Sequence, residues 1–192
     1  MDAIDAILSR RTVREMLDTP LSDEIVDLIL NAAIWAPNHK LTEPWRFVVL
    51  GPESRLALAQ GVVDYKSGLF AGAVDIEAAD RMKDRVWQRF IRVGAIVAVT
   101  CVSSPKSDSH RKRDDLAAVC AAIQNIQLAA WSQGVGACWV NGTVSHMAKT
   151  AELLQLNEHG ELLVGIISLG YPARAPDAGR RTPAAAFTRT LP

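Results

Sequence analysis

The stretch Ser9-Arg10-Arg11-Thr12-Val13-Arg14 places three guanidinium groups within five residues, with one hydroxyl among them. It follows a short segment, Asp2 to Leu8, whose apolar positions Ile4, Ile7 and Leu8 have helical spacing. Arginine stays charged and presents a planar fork of donors that suits phosphate oxygens. At a helix end this pattern reads as a small anion site. A solvated charge run near an N-terminus is the plain alternative. The rest of the chain decides between them.

Working outward, Thr19-Pro20-Leu21-Ser22 predicts a turn into a helix, with Ser22 as N-cap and Asp23 and Glu24 in the first turn. Ile25, Leu28, Ile29, Ala32, Ala33 and Ala36 form its apolar stripe, and Pro37 stops it. Pro37-Asn38-His39-Lys40-Leu41-Thr42-Glu43-Pro44 is a polar, proline-bracketed loop of the kind that carries function, although a histidine there is more often an ordinary surface residue. Arg46 to Leu50 then predicts a buried strand, and Glu53 to Gln60 a helix. Residues 61 to 92 combine glycines, aromatics and charge. They suit either a mobile cover or a connector, with a charged helix over Ile76 to Arg92.

Gly94 to Val102 predicts a second buried strand. Ser103 to Arg113 reads as a solvated loop, and Asp114 to Gln133 as a long helix whose alanines suit close helix–helix packing. Gly136 to Gly142 predicts a third strand running into a turn. Ser145 is a candidate cap for a helix reaching about Leu154, and Leu162 to Gly170 is a fourth strand. Gly179-Arg180-Arg181-Thr182-Pro183 supplies a second basic group. With no internal repeat or linker, residues 1–192 are expected to form a single α+β domain.

Composition narrows the function. Lysine plus arginine equals aspartate plus glutamate at 21 each, so no chain-wide field attracts nucleic acid or an anionic membrane. Three widely spaced cysteines fit a reducing compartment. The opening residues lack a basic region followed by an apolar core, which predicts no signal peptide and a cytoplasmic chain. The longest apolar run, Gly94 to Val102, is far below the roughly 20 residues of a membrane span. No phosphate loop, zinc spacing or nucleophile elbow occurs, and Gly134-Val135-Gly136 follows a helix, the wrong context for a dinucleotide fingerprint. Two distant basic groups, a polar loop and a Trp-Val-Asn-Gly turn are explained together by an anionic cofactor.

Three motifs in order make the chain resemble the nitroreductase family of flavin mononucleotide (FMN) enzymes. They are Arg10 to Arg14, Ala36-Pro37-Asn38-His39-Lys40 leading to Pro44-Trp45-Arg46-Phe47, and the Gly134 to Gly142 strand and turn. Leu169-Gly170-Tyr171-Pro172 is a fourth, weaker match, and the likeness covers about residues 2 to 183. The resemblance implies a three-layer α/β/α arrangement around a mostly antiparallel sheet. It implies a homodimer with FMN in the subunit interface, and a C-terminal tail reaching toward the partner. It implies electron transfer from NADH or NADPH through flavin N5 to an electron-poor acceptor such as a nitroaromatic or a quinone. An FMN-binding protein without turnover is the alternative.

Carried over by motif, Arg10, Arg11 and Thr12 would hold the phosphate and ribityl chain, and Arg14 would meet the pyrimidine edge and tune the redox step. Pro37, Asn38 and His39 would reach the opposite subunit's flavin. Trp139, Val140, Asn141 and Gly142 would run beside the ring with a backbone N–H near N5, and Arg181 would bind phosphate. Many relatives carry a lysine where Gly179 stands here, and Arg180 is the candidate to compensate.

Overall fold

The computed structural model describes residues 1–69, 76–104, 106–142, 144, 147–177 and 179–191. Helix α1 (Ala3–Ser9) opens with Asp2 accepting from the Asp5 N–H at 2.8 Å, and it is fastened to the body where Trp131 Nε1 donates to Ser9 Oγ at 2.8 Å. Helix α2 (Asp23–Ala33) precedes a short 3-10 turn at His39–Leu41 and strand β1 (Trp45–Val49). Helices α3 (Pro52–Leu69) and α4 (Ile76–Phe90) lead to β2 (Ala95–Val102). Helix α5 (Ser109–Ser132), strand β3 (Gly136–Val140), helices α6 (Ala148–Leu153) and α7 (Leu156–His159), and strand β4 (Glu161–Gly170) complete the body.

The four strands are ordered β1-β2-β4-β3 and every pairing is antiparallel. Side chains alternate along the central strands. Ile96 and Ala98 of β2, with Leu163 and Ile166 of β4, meet Leu58, Val62, Val86 and Phe90 from α3 and α4. Val97 and Val99, with Ile167 and Leu169, meet Ile29, Val119, Ile123 and Ile126 from α2 and α5. Helices therefore cover both faces, giving the expected three layers. This double cover explains why β2 is an unbroken apolar run instead of an alternating one.

Four expectations change. Strand β1 is not buried: it forms the edge of the sheet, with Arg46, Val48 and Val49 exposed. Helix α3 does not end at Gln60 but runs through Gly61, because the missing side chain makes room there: a Cβ would stand 3.2 Å from Met147 Cε. Helix α5 begins at Ser109, not Asp114, because Asp108 caps it by accepting from the Arg111 N–H at 2.8 Å. Helix α4 is no mobile cover. Met82, Val86 and Phe90 are buried in the core, and Arg55 fixes its end by donating to the carbonyl oxygens of Phe90, Ile91 and Val93 at 3.1, 2.6 and 2.6 Å. The Ser145 cap lies outside the described residues. No helix among the described residues is long and apolar enough to cross a membrane.

Candidate active site

After α1 the arginine motif runs extended against the edge of the sheet. Thr12 bridges Ala137 of β3, and the Val13 N–H donates to the Ala137 carbonyl at 3.0 Å. Further on, the Leu17 N–H donates to Tyr171 O at 2.9 Å and the Ala173 N–H to Glu15 O at 3.0 Å. Val13 and Met16 are the buried anchors, so Thr12 and Arg14 are left facing outward. Gly136 permits this docking, since a Cβ there would lie 2.7 Å from Val13.

The guanidinium groups gather beyond these anchors. Arg10 Nη1 donates to Gln127 Oε1 of α5 at 3.5 Å. Arg11 Nη1 donates to the carbonyl oxygens of Leu8 and Arg10, both at 2.8 Å, and Arg181 Nη1 donates to Arg180 O at 2.8 Å. The Nε atoms of Arg10 and Arg11 are buried without any acceptor. Burial lowers the pKa of Arg10, and the nearby positive charges of Arg11 and Arg181 lower it further. Among the described residues, no carboxylate pairs with Arg10, Arg11, Arg14 or Arg181. Three like charges crowded together around two buried donors without acceptors form a cradle for an oxyanion. A cavity of about 410 Å³ opens onto it, walled by Arg11, Thr12, Arg14 and Arg181. Glu15 and Arg174, paired at 3.1 Å, and Asp177 share that wall.

Gly179 has a specific role here. A Cβ on it would stand 2.6 Å from Arg11 Nε and 2.9 Å from Cζ. Its lack of a side chain gives the Arg11 guanidinium its place. Arg180, the candidate to compensate for Gly179, gives its carbonyl to Arg181, and the cavity wall is formed by Arg11, Thr12, Arg14 and Arg181.

Strand β3 carries the cradle toward a second cavity. Burial pushes the Cys138 thiol pKa up, and the positive charges of Arg89 and Arg14 pull it down, so both guanidinium groups act on one sulfur. Val140 and Asn141 border that second cavity, of about 240 Å³. The Trp139 side chain goes to the opposite face, over Gly165 at the β2–β4 bulge, where a Cβ would collide with its Nε1. Trp139 can therefore serve the site through its backbone only. Gly142 turns the chain at φ 89°, and its N–H is taken by Asn141 Oδ1 at 2.7 Å.

Pro37, Asn38 and His39 stand apart from the cradle. Asn38 closes their loop, with Oδ1 accepting from the Glu43 N–H at 3.0 Å and Nδ2 donating to Ala36 O at 3.4 Å. Thr42 ties the loop to Asp115 of α5 at 3.0 Å, and Ser103 donates to the same carboxylate at 2.8 Å. Arg10 meets α5 at Gln127, twelve residues later, or about 18 Å along the helix axis. The loop holds three non-glycine residues at positive φ, Lys40, Leu41 and Glu43, at 55°, 52° and 45°. Such strain collects where function constrains a backbone.

Sequence reasoning missed several contributors. Asp115, beside the solvated loop in sequence, is 3% exposed and anchors the Pro37 loop. Gln127 carried no site assignment in the sequence, yet it is 6% exposed and accepts from Arg10. Lys66, Arg85 and Arg89 on the second cavity lay in the segment left open. Their only sequence signal is the four-residue spacing of Arg85 and Arg89 beside the buried Met82, Val86 and Phe90 stripe.

The sequence matches the nitroreductase family over residues 7–171. A Bacillus subtilis protein, YfhC, assigned as an NAD(P)H nitroreductase, is 31% identical over 180 residues, covering 93% of this chain and 89% of that one. The crystal structure of a nitroreductase-like family protein from Bacillus cereus superposes with a TM-score of 0.81 at 29% identity, covering 100% of this chain and 96% of the other. A protein of Desulfovibrio desulfuricans assigned as a nitroreductase, solved in complex with FMN, superposes with a TM-score of 0.73 at 27% identity, covering 100% and 98%. The motifs, the fold and these likenesses lead to one conclusion: the chain belongs to the nitroreductase family.

Proposed function

We propose that this chain is an FMN-dependent oxidoreductase that takes electrons from NADH or NADPH and gives them to a small electron-poor acceptor such as a nitroaromatic or a quinone. The observation carrying this reading is the cluster of guanidinium groups that, among the described residues, pair with no carboxylate, with two buried Nε donors lacking acceptors. These residues fit the phosphate of FMN, the ligand of the Desulfovibrio relative. When bound, FMN would supply hydride acceptance from the nicotinamide and electron delivery to the acceptor.

Arg10, Arg11 and Arg181 hold the phosphate, and Thr12 offers its outward hydroxyl to the ribityl chain. Arg14 would present a permanent positive charge at the pyrimidine edge, where it would stabilise negative charge. Val140, Asn141 and Gly142, with the Trp139 backbone, would border the ring. No side-chain nucleophile is required.

The working unit is a homodimer in which Pro37, Asn38 and His39 of one subunit complete the site of the other. Large exposed apolar side chains support this: Trp35 at 84%, Leu41 at 81% and Phe187 at 80% exposure, together with Ile4, Ile7 and Leu8 on α1. The single-chain distance between loop and cradle supports it too.

Titrating purified protein with FMN, while following flavin fluorescence and sedimentation, tests the reading. Saturation at one FMN per chain on a dimer is expected. A monomer that leaves added FMN free would overturn it. Tight binding of a flavin that no nicotinamide reduces would leave a carrier or sensor instead.

A further inference from the structure

The cavity beside Val140 and Asn141 has an unusual wall. Its floor is apolar and deeply buried, formed by Val62, Val86 and Phe90 at 2%, 3% and 1% exposure. Three cations stand over that floor: Lys66 from α3, and Arg85 and Arg89 from α4. Lys66 and Arg89 are half-buried. Burial lowers the Lys66 pKa, and the positive charges of Arg89 and Arg85 lower it further, so the three groups sense one another.

Neighbouring acids do not neutralise them. Asp64 pairs with Lys149 at 2.9 Å, Glu77 with Arg81 at 3.1 Å, Asp80 with Lys83 at 3.9 Å and Asp84 with Arg92 at 3.2 Å. Among the described residues, none of Lys66, Arg85 and Arg89 forms an ion pair. A solvated charge run keeps its cations in water. Here all three side chains border a buried apolar floor, and Lys66 and Arg89 are half-buried.

We propose that Lys66, Arg85 and Arg89 form a specificity subsite that binds an oxyanion, a carboxylate or phosphate, of the molecule exchanging electrons at the site, with its apolar ring lying on Val86 and Phe90. The proposal rests on the reductase reading for what reacts there, but the pocket's preference for negative charge stands on its own geometry. At about 240 Å³ the cavity is smaller than the roughly 300–1,000 Å³ of drug-sized sites, so it suits one ring with its charged substituent better than a whole dinucleotide. The cations also differ from the cradle in arrangement. They come from the two helices of the α3–α4 side, whereas the cradle comes from the N-terminal motif and the C-terminal segment.

The test is calorimetric binding of 4-nitrobenzoate and of neutral nitrobenzene to the holoprotein and to its Lys66→Gln and Arg85→Gln variants, with FMN content measured in each. The native protein is expected to bind the carboxylate at least tenfold more tightly than the neutral ring. Either variant should erase most of that preference, and FMN content should hold. In turnover, the ratio of kcat/KM for 4-nitrobenzoate over nitrobenzene should fall in parallel. If the variants instead raise KM for NADPH and not for NADH, the oxyanion bound is the extra phosphate of NADPH, and the subsite stands with that source. Equal binding of charged and neutral rings by the native protein would overturn the proposal. Loss of FMN from the variants would also overturn it, because the cations would then belong to the cofactor. A protein that holds no flavin but prefers the carboxylate would sink the reductase reading and leave the subsite standing.

Discussion

Gly179→Ala separates folding from cofactor binding at a single atom. Gly179 does not adopt a left-handed backbone angle, so alanine suits its conformation, and the loss of unfolded-state freedom would stabilise the fold by about 0.4–1 kcal/mol. The new methyl group, however, would stand 2.6 Å from Arg11 Nε, 2.9 Å from Cζ and 3.1 Å from Nη2. What must give way is the far end of a flexible side chain, so the guanidinium moves and the backbone does not. If Arg11 makes one charge-assisted contact to the FMN phosphate, about 1.5–3 kcal/mol is lost, which is roughly a 10- to 150-fold weaker Kd. Flavin fluorescence titration reads the affinity and calorimetric melting of the apoprotein reads the fold. The melting temperature should stay within a few degrees while Kd rises. Arg11→Ala should cause a similar loss, and the double variant little more, because both changes remove one contact. An unchanged Kd in Gly179→Ala, or losses that add in full, would refute the account of why glycine stands there.

Three further outcomes follow from the same geometry. Gly136→Ala pushes against Val13 at 2.7 Å, so it should destabilise the fold by about 1–3 kcal/mol and lower Tm by roughly 2–4 °C per kcal/mol, with FMN affinity falling as the arginine strand shifts. Arg14→Gln should keep its FMN, since the phosphate cradle is intact, but the flavin potential should fall by about 30–60 mV as roughly 1.5–3 kcal/mol of charge stabilisation is lost. A loaded Arg14→Gln protein with unchanged potential and turnover would remove Arg14 from that role. Leu41→Asp puts a charge on a strained residue that is 81% exposed, so it should leave the subunit folded while converting the dimer to monomers by sedimentation; a persistent dimer would place the interface elsewhere.

The architecture was readable because its signals were local. The Val97 and Val99 run, the α5 stripe from Val119 to Ile126, and Pro37 after α2 each state an element within a few residues. Local signals also misled. Gly61 looked like a helix end, but its role is to let α3 pass close to Met147, a contact made across more than eighty residues. Asp115 resembled its solvated neighbours until Thr42 and Ser103 were brought to it. The arginine motif could be read as an anion site, but the part played by Gly179 could not, because the absence of a side chain has meaning only once Arg11 lies against it. Lys66, Arg85 and Arg89 were hidden for the same reason. They belong to two helices, and only packing puts them over one floor.

Reduction of the bound flavin by a nicotinamide is the most direct test of the reductase reading. FMN-loaded protein, held without oxygen, is mixed with NADH and separately with NADPH while the visible flavin band is followed. The prediction is that at least one nucleotide bleaches the band in full and that a nitroaromatic or quinone added afterwards restores it. A bound flavin that keeps its colour with both nucleotides would contradict the reductase reading.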